Sequence, residues 1–284
     1  MENRDYQKRV AAIHDLSGFG KCSLTVALPI LSAAGIEACA MPTAILSTHT
    51  GGISGYTYRD LTSDMRAFMQ HWKSLDIQFD ATYSGFLGSF EQLDLVKEFF
   101  ELFRSKNNLI LVDPVMADNG ELYRIFQPEF AVGMRSLCKK ADIIVPNLTE
   151  AALLLEESYH PGPYTQAYIE KILKKLSKLG PEKVVLTGVY FEEKKLGAAT
   201  YDKGSDSTDY LFTERIPGSY HGDVFASALL SGLLNNFSLK DSTQIAVNFT
   251  ADSIRRTYNA KTDYRFGVNF EQCIPDFLKE LKLI

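Results

Sequence analysis

The stretch Leu109-Ile110-Leu111-Val112-Asp113-Pro114-Val115-Met116-Ala117-Asp118 decides the fold. Four apolar residues run into a carboxylate and a proline. This reads as a short buried strand over 109–112 that stops at a polar rim. Helical patterns flank it over 90–104 and 130–138, and 142–145 then repeats the motif as a strand stopped by Pro146-Asn147. Working outward, strands are expected at 9–14, 36–42, 81–83 and 183–187. Helices are expected at 21–34, 61–73, 164–179, 224–235, 242–258 and 273–281, with β-rich segments at 196–201 and 210–216. Strands alternating with helices predict an α/β fold, a mostly parallel central sheet with helices on both faces. The Gly/Thr/Ser-rich segment 43–58 breaks the rhythm and is expected to be a functional insert. No repeat or linker divides the chain, so a single domain is expected over 1–284.

Composition narrows the class. The chain has 284 residues and a formal charge of −5, which argues against nucleic acid, where a basic face is expected. No apolar run approaches the ~18 residues needed to span a bilayer, so no membrane partner is expected. The polar start Met1-Glu2-Asn3-Arg4-Asp5-Tyr6 does not read as a signal peptide. Cys22, Cys39, Cys138 and Cys273 are scattered without metal-ligand spacing. They read as reduced thiols of a cytoplasmic protein.

Ligands of open parallel sheets bind beyond the carboxyl ends of the strands. The polar segments expected there are 14–20, 83–89, 113–118, Asn147-Leu148-Thr149-Glu150, Thr187-Gly188 and Gly222-Asp223. Each has a plain structural reading: Asp113 as a turn residue before Pro114, Asn147 as an N-cap with Glu150 as its capping-box partner. Together they have a chemical one. Glycine-rich turns offer backbone N–H donors to phosphates. Asp113 and Glu150 are hard oxygen ligands suited to Mg²⁺, directly or through its waters, which Asn147 can orient. Asp223 follows Gly222 at the mouth of a helix of small apolar residues. A carboxylate there can take a proton from a hydroxyl while helix N–H groups hold a phosphoryl group. These are the parts of phosphoryl transfer. Neither a Gly-x-x-x-x-Gly-Lys-Ser/Thr loop nor the protein-kinase motif set is present.

Six segments, in order, resemble the motifs of the ribokinase-like superfamily and, within it, the pyridoxal kinases: His49-Thr50-Gly51, Tyr83-Ser84-Gly85-Phe86-Leu87-Gly88-Ser89, Asp113–Asp118, Pro146–Glu150, Val184–Thr187 and Gly222–Phe225. The resemblance implies a three-layer fold with a small lid at 43–58. It also implies ATP-dependent phosphorylation of the 5′-hydroxyl of pyridoxal, pyridoxine or pyridoxamine. Carried over by position, Asp223 is the general base and Gly222 supplies an anion-hole N–H. Asp113, Asn147, Glu150 and Thr187 serve Mg-ATP, with Asp113 and Glu150 at the metal. Asp15, His49, Thr50, Gly51 and Tyr83 lie on the substrate side, Tyr83 with its ring face against the pyridine. The resemblance also implies a homodimer and is compatible with a monovalent cation beside Mg²⁺. Hydroxymethylpyrimidine, another flat ring bearing a hydroxymethyl group, is the alternative substrate.

Two positions depart from the family pattern. Position 15 is Asp where many pyridoxal kinases have a serine. His221-Gly222-Asp223 is two residues shorter than the family's His-Gly-Thr-Gly-Asp. A remodelled turn, an impaired site that binds nucleotide without turnover, or a chain lacking two residues would each produce it. The family-like surroundings favour the last, for which the mark would be a Gly222–Asp223 Cα separation well beyond about 3.8 Å.

Overall fold

A computed structural model describes residues 6–218 and 221–284. Its strands are β1 Arg9–Phe19, β2 Glu37–Thr48, β3 Tyr58–Asp60, β4 Ala81–Ser84, β5 Leu109–Val112, β6 Ala117–Asp118, β7 Glu121–Leu122, β8 Ile143–Ile144, β9 Lys183–Val189, β10 Lys195–Asp202 and β11 Ser207–Glu214. Its helices are α1 Leu24–Ala33, α2 Thr62–Ser74, α3 Phe90–Phe103, α4 Phe130–Cys138, α5 Leu148–Leu155, α6 Gln166–Ser177, α7 Gly222–Leu234, α8 Leu239–Ala260 and α9 Ile274–Glu280. Nine strands form one sheet in the order β11-β10-β9-β8-β5-β4-β1-β2-β3, and β6 pairs with β7 separately. The run from β9 to β2 is parallel. β10, β11 and β3 close the two edges antiparallel. The expected α/β architecture is therefore present.

Successive strand residues face opposite sides, and both sides are apolar. On β5, Ile110 and Val112 join a core with α2–α6, while Leu111 joins the opposite core with α1, α7, α8 and α9. On β9, Val184 and Leu186 face the first core and Val185 the second. Burial on both faces is why these strands read as unbroken apolar runs. Among the described residues, no helix is long and apolar enough to cross a membrane.

The largest difference from the expected elements lies at β1 and β2. The segment 14–20, read as a turn after a strand ending at 14, is mostly strand, because β2 continues beside it: Leu16, Ser17 and Phe19 pair with Ile45, Leu46 and Thr48. The first six residues of the expected insert, 43–48, thus belong to β2, and β3 returns antiparallel against it. The segment expected to be a lid forms a β-hairpin, called the flap below. The register breaks between His14 and Leu16, at Asp15. The helix expected from 21 begins at Leu24, because Ser23 has φ 51° and ψ −127°.

Gly85 shows how tightly the centre is built. A Cβ there would lie 2.1 Å from Nδ1 of His14. His14 is wholly buried, and burial pushes it down to about 3, so the ring is neutral. Gly85→Ala is expected to lower stability by about 1–3 kcal/mol through overpacking, read as a lower urea midpoint. An unchanged midpoint would contradict this packing.

Candidate functional site

A cleft of about 830 Å³ opens along the carboxyl rim of the sheet. Its walls include Lys21, Cys22 and Ser23 ahead of α1, His49 of the flap, Asp113 after β5, and Asn147–Glu150 at the start of α5. Thr187 of β9 and His221, Gly222 and Asp223 at the start of α7 complete the expected set.

The start of α7 explains itself from sequence. Val224-Phe225-Ala226-Ser227-Ala228 is small and apolar and is buried against the sheet. His221, in extended conformation, is the N-cap but makes no side-chain capping bond. The first N–H groups of an α-helix have no acceptor within it, and Gly222 is exposed. The electropositive end of the helix therefore faces the cleft. Phe225 N–H donates to the His221 carbonyl at 3.3 Å across Gly222 and Asp223. Both residues are helical. The short turn is accommodated by winding Gly222 and Asp223 into the first turn of α7.

Asp223 is half-buried, and its Oδ2 accepts the Ser23 backbone N–H at 2.8 Å. Burial pushes its carboxyl up to about 6, Ser23 N–H pulls it down, and the charge of Asp15 pushes it up.

The substrate-side residues divide. His49 lies on the cleft wall, but Thr50 and Gly51 sit at the exposed hairpin tip and are not among its walls. The tip docks on the turn 264–267: His49 Nε2 meets the Arg265 carbonyl, and Gly51 N–H donates to His49 Nδ1 at 3.0 Å. Phe19 packs edge-on against Phe266 at 5.0 Å. Tyr83 does not offer its ring face to the cleft. It is 0 % exposed, in the core shared with α7, edge-on to His14 at 4.2 Å. The alternation of β4, which sends Ala81 and Tyr83 to the same buried face, is the reason. Asp15 is also absent from the walls. It is buried and accepts from the hydroxyls of Ser17, at 3.3 Å, and of Ser23.

Sequence reasoning passed over Ser23, hidden inside the expected helix, and Arg215. The Arg215 guanidinium lies 4.9 Å from the Tyr190 ring centre, both on the cleft wall. Nothing in the sequence around Arg215 marks it.

At the far end of the cleft, the capping-box reading of Asn147 and Glu150 holds. Asn147 Oδ1 accepts Glu150 N–H at 2.9 Å, and Glu150 Oε2 accepts Asn147 N–H at 2.9 Å. Glu150 Oε1 also accepts Met116 N–H at 3.1 Å, and Asn147 Nδ2 donates to the Ala117 carbonyl at 2.8 Å. The cap itself aims both side chains at the rim. A bridge between Asn147 and Thr187 joins the ends of β8 and β9. A Cβ on Gly222 would lie 3.4 Å from Asp113 Oδ2, so Asp113 adjoins the open helix start. Burial, then the charges of Glu150 and Asp223, raise Asp113 well above the usual carboxylate range. Burial pushes Glu150 up to about 8 against the pull of its backbone N–H donors.

The cations on the cleft wall do not relieve this charge, since Lys21 pairs with Glu271 and Arg215 with Glu193. Among the described residues, no group of three His, Cys, Asp or Glu side chains is placed to hold a metal ion by itself. Asp113 and Glu150, hard-oxygen carboxylates with no cation paired to them, adjoin an anion-binding helix start and fit Mg²⁺, which is usually shared between one or two carboxylates, waters and phosphate.

The sign of the pH effect follows. Glu150 is raised above its unfolded value, so the folded state holds the extra proton and loses stability as pH rises from about 4.3 to 8. In metal-free buffer the urea midpoint is expected to fall over that window, and Glu150→Gln is expected to flatten the fall. An identical slope in the variant would contradict it.

Comparison with known proteins agrees with this geometry. A family model described as phosphomethylpyrimidine kinase matches residues 28–267. A Bacteroides thetaiotaomicron protein, provisionally named a phosphomethylpyrimidine kinase and crystallised with pyridoxal, has TM-score 0.91 and 38% identity, covering 96% of each chain. Pyridoxal kinase from Lactobacillus plantarum has TM-score 0.88 and 30% identity, covering 96% of this chain and 98% of its own. The pyridoxal kinase of Dictyostelium discoideum is 26% identical over 193 residues, and the match covers 63% of this chain and only 62% of that protein. The chain belongs to the phosphomethylpyrimidine kinase family and has the ribokinase-like fold of the pyridoxal kinases.

Proposed function

We propose that this protein transfers the γ-phosphoryl group of ATP to the 5′-hydroxyl of a B6 vitamer (pyridoxal, pyridoxine or pyridoxamine), with Asp223 as general base. The observation that carries this is the half-buried Asp223 carboxylate at the open, uncapped start of α7, on the same cleft as Asp113 and Glu150. The L. plantarum pyridoxal kinase and the pyridoxal-bound B. thetaiotaomicron structure support the choice of acceptor.

The nucleotide lies along the rim formed by Asp113, Asn147, Glu150 and Thr187, its γ-phosphate toward the Gly222 N–H. Asp113 and Glu150 would hold Mg²⁺, which neutralises phosphate charge and orients the phosphates when bound. The acceptor ring lies between Ser23 and the flap, under His49. Its hydroxyl oxygen attacks the γ-phosphorus and passes its proton to Asp223. The bond from γ-phosphorus to the bridging oxygen breaks, and ADP leaves with that electron pair. The N–H groups of α7 hold the phosphoryl oxygens throughout, and the docked flap keeps water from competing.

A relative from Escherichia coli, 26% identical over 196 residues and named hydroxymethylpyrimidine/phosphomethylpyrimidine kinase, favours hydroxymethylpyrimidine as a second acceptor. The same base and anion hole serve either hydroxymethyl group, so competition between the two substrates decides which is preferred. The short turn keeps Asp223 on the cleft wall, which favours turnover over a binding-only role.

Two outcomes are expected. Asp223→Asn lowers kcat by about 10²–10⁴-fold while the melting temperature and vitamer binding are retained; near-normal turnover would remove Asp223 as the base. Because the base works ionised, kcat/KM is expected to be level above about pH 6 and to fall below it. A profile level down to pH 4.5 would contradict the assignment.

A further inference from the structure

Ser23 occupies a backbone conformation that favours glycine, φ 51° and ψ −127°, yet it carries a side chain. It is 5 % exposed. Its backbone N–H points at Asp223 Oδ2, 2.8 Å away and two hundred residues on in the chain. Its hydroxyl donates to Asp15 Oδ1, and Asp15 accepts a second hydroxyl, that of Ser17, on Oδ2. Asp15 lies at the register break of β1 between His14 and Leu16. Such irregularities re-aim a side chain beside a functional site.

We infer that Ser23 is a positioning residue for the phosphoryl-transfer step: the Asp15–Ser23 hydroxyl bond holds the Ser23 backbone in its unfavourable conformation, and that conformation fixes the Asp223 carboxylate. With Oδ2 held by Ser23 N–H, Oδ1 is the oxygen left to take the acceptor's proton. Asp15 then acts through Ser23, which accounts for its burial away from the cleft wall. The inference rests on Asp223 being the base.

The test compares wild type, Ser23→Ala, Ser23→Gly, Asp15→Asn and Asp223→Asn in steady-state phosphorylation of pyridoxal by MgATP, with thermal melts of each. Ser23→Ala removes the hydroxyl but not the backbone strain. Its kcat is expected to fall ten- to a hundredfold with both KM values within twofold of wild type. Ser23→Gly adopts the same backbone without strain, and kcat is expected to return to within threefold of wild type. Asp15→Asn, isosteric but a weaker acceptor, is expected to lose at least fivefold in kcat alone, and it carries the test if Ser23→Ala does not melt cooperatively.

The inference is overturned if Ser23→Ala keeps kcat within twofold, if Ser23→Gly is as impaired as Ser23→Ala, or if KM rises in step with the loss of kcat. Near-normal turnover by Asp223→Asn would instead sink the base assignment. An inactive Asp223→Asn beside a fully active Ser23→Ala would sink the Ser23 inference alone.

Discussion

Asp113, Glu150 and Asp223 share one cleft, and among the described residues the lysine and arginine on its walls are paired elsewhere. Asp113 and Glu150 are almost fully buried and Asp223 half-buried, and all three are pushed upward by burial. A fold tolerates such desolvated charge only where fixed dipoles answer it. Two helix starts do so here. Glu150 stands in the first turn of α5 and Asp223 in the first turn of α7, where helix N-termini are electropositive. The parallel sheet makes this arrangement available, because it brings the ends of β5, β8 and β9 and the helix starts beside them to one rim. In the proposed function a divalent cation would answer the carboxylates, and the helix starts would receive the phosphates.

The opposite side of the cleft depends on a different constraint, the extension of β1 and β2 beyond the layer of helices. The extra pairs raise a hairpin flap over the cleft, and Asp15 sits at the irregularity where the extension begins. From there one buried chain of contacts runs through Ser23 to Asp223. The flap, its dock at the Arg265 carbonyl and Asp223 are thus attached to the same few residues around the β1–α1 junction.

The residues that announced themselves in the sequence were those whose local chemistry and global role coincide. Asp113-Pro114, Asn147 with Glu150, and Gly222-Asp223 end strands or begin helices whether or not a ligand binds, and the structure brings all of them to one cleft. The layered fold was equally legible, because strands covered on both faces leave unbroken apolar runs. What was not legible depended on long-range pairing. Positions 14–20 and 43–48 carry Gly, Ser and Thr typical of loops, and only their pairing with one another makes them strands. Tyr83 read as an exposed ring because its neighbours matched a motif, whereas strand alternation buries it. Ser23 was concealed within a helical pattern, since a single left-handed residue leaves no periodic trace. Gly222 and Asp223 read as a turn ahead of a helix, and the structure winds them into the first turn of α7.

In the proposed function this shortened, helix-embedded Gly222-Asp223 pair still performs phosphoryl transfer. The most direct measurement is ATP consumption and phosphorylated product with pyridoxal, pyridoxine, pyridoxamine and hydroxymethylpyrimidine assayed side by side, with and without Mg²⁺. Mg²⁺-dependent turnover of at least one B6 vitamer is the predicted result. Binding of ATP and vitamer with no product from any acceptor would contradict the account and identify the short turn as one that abolishes catalysis.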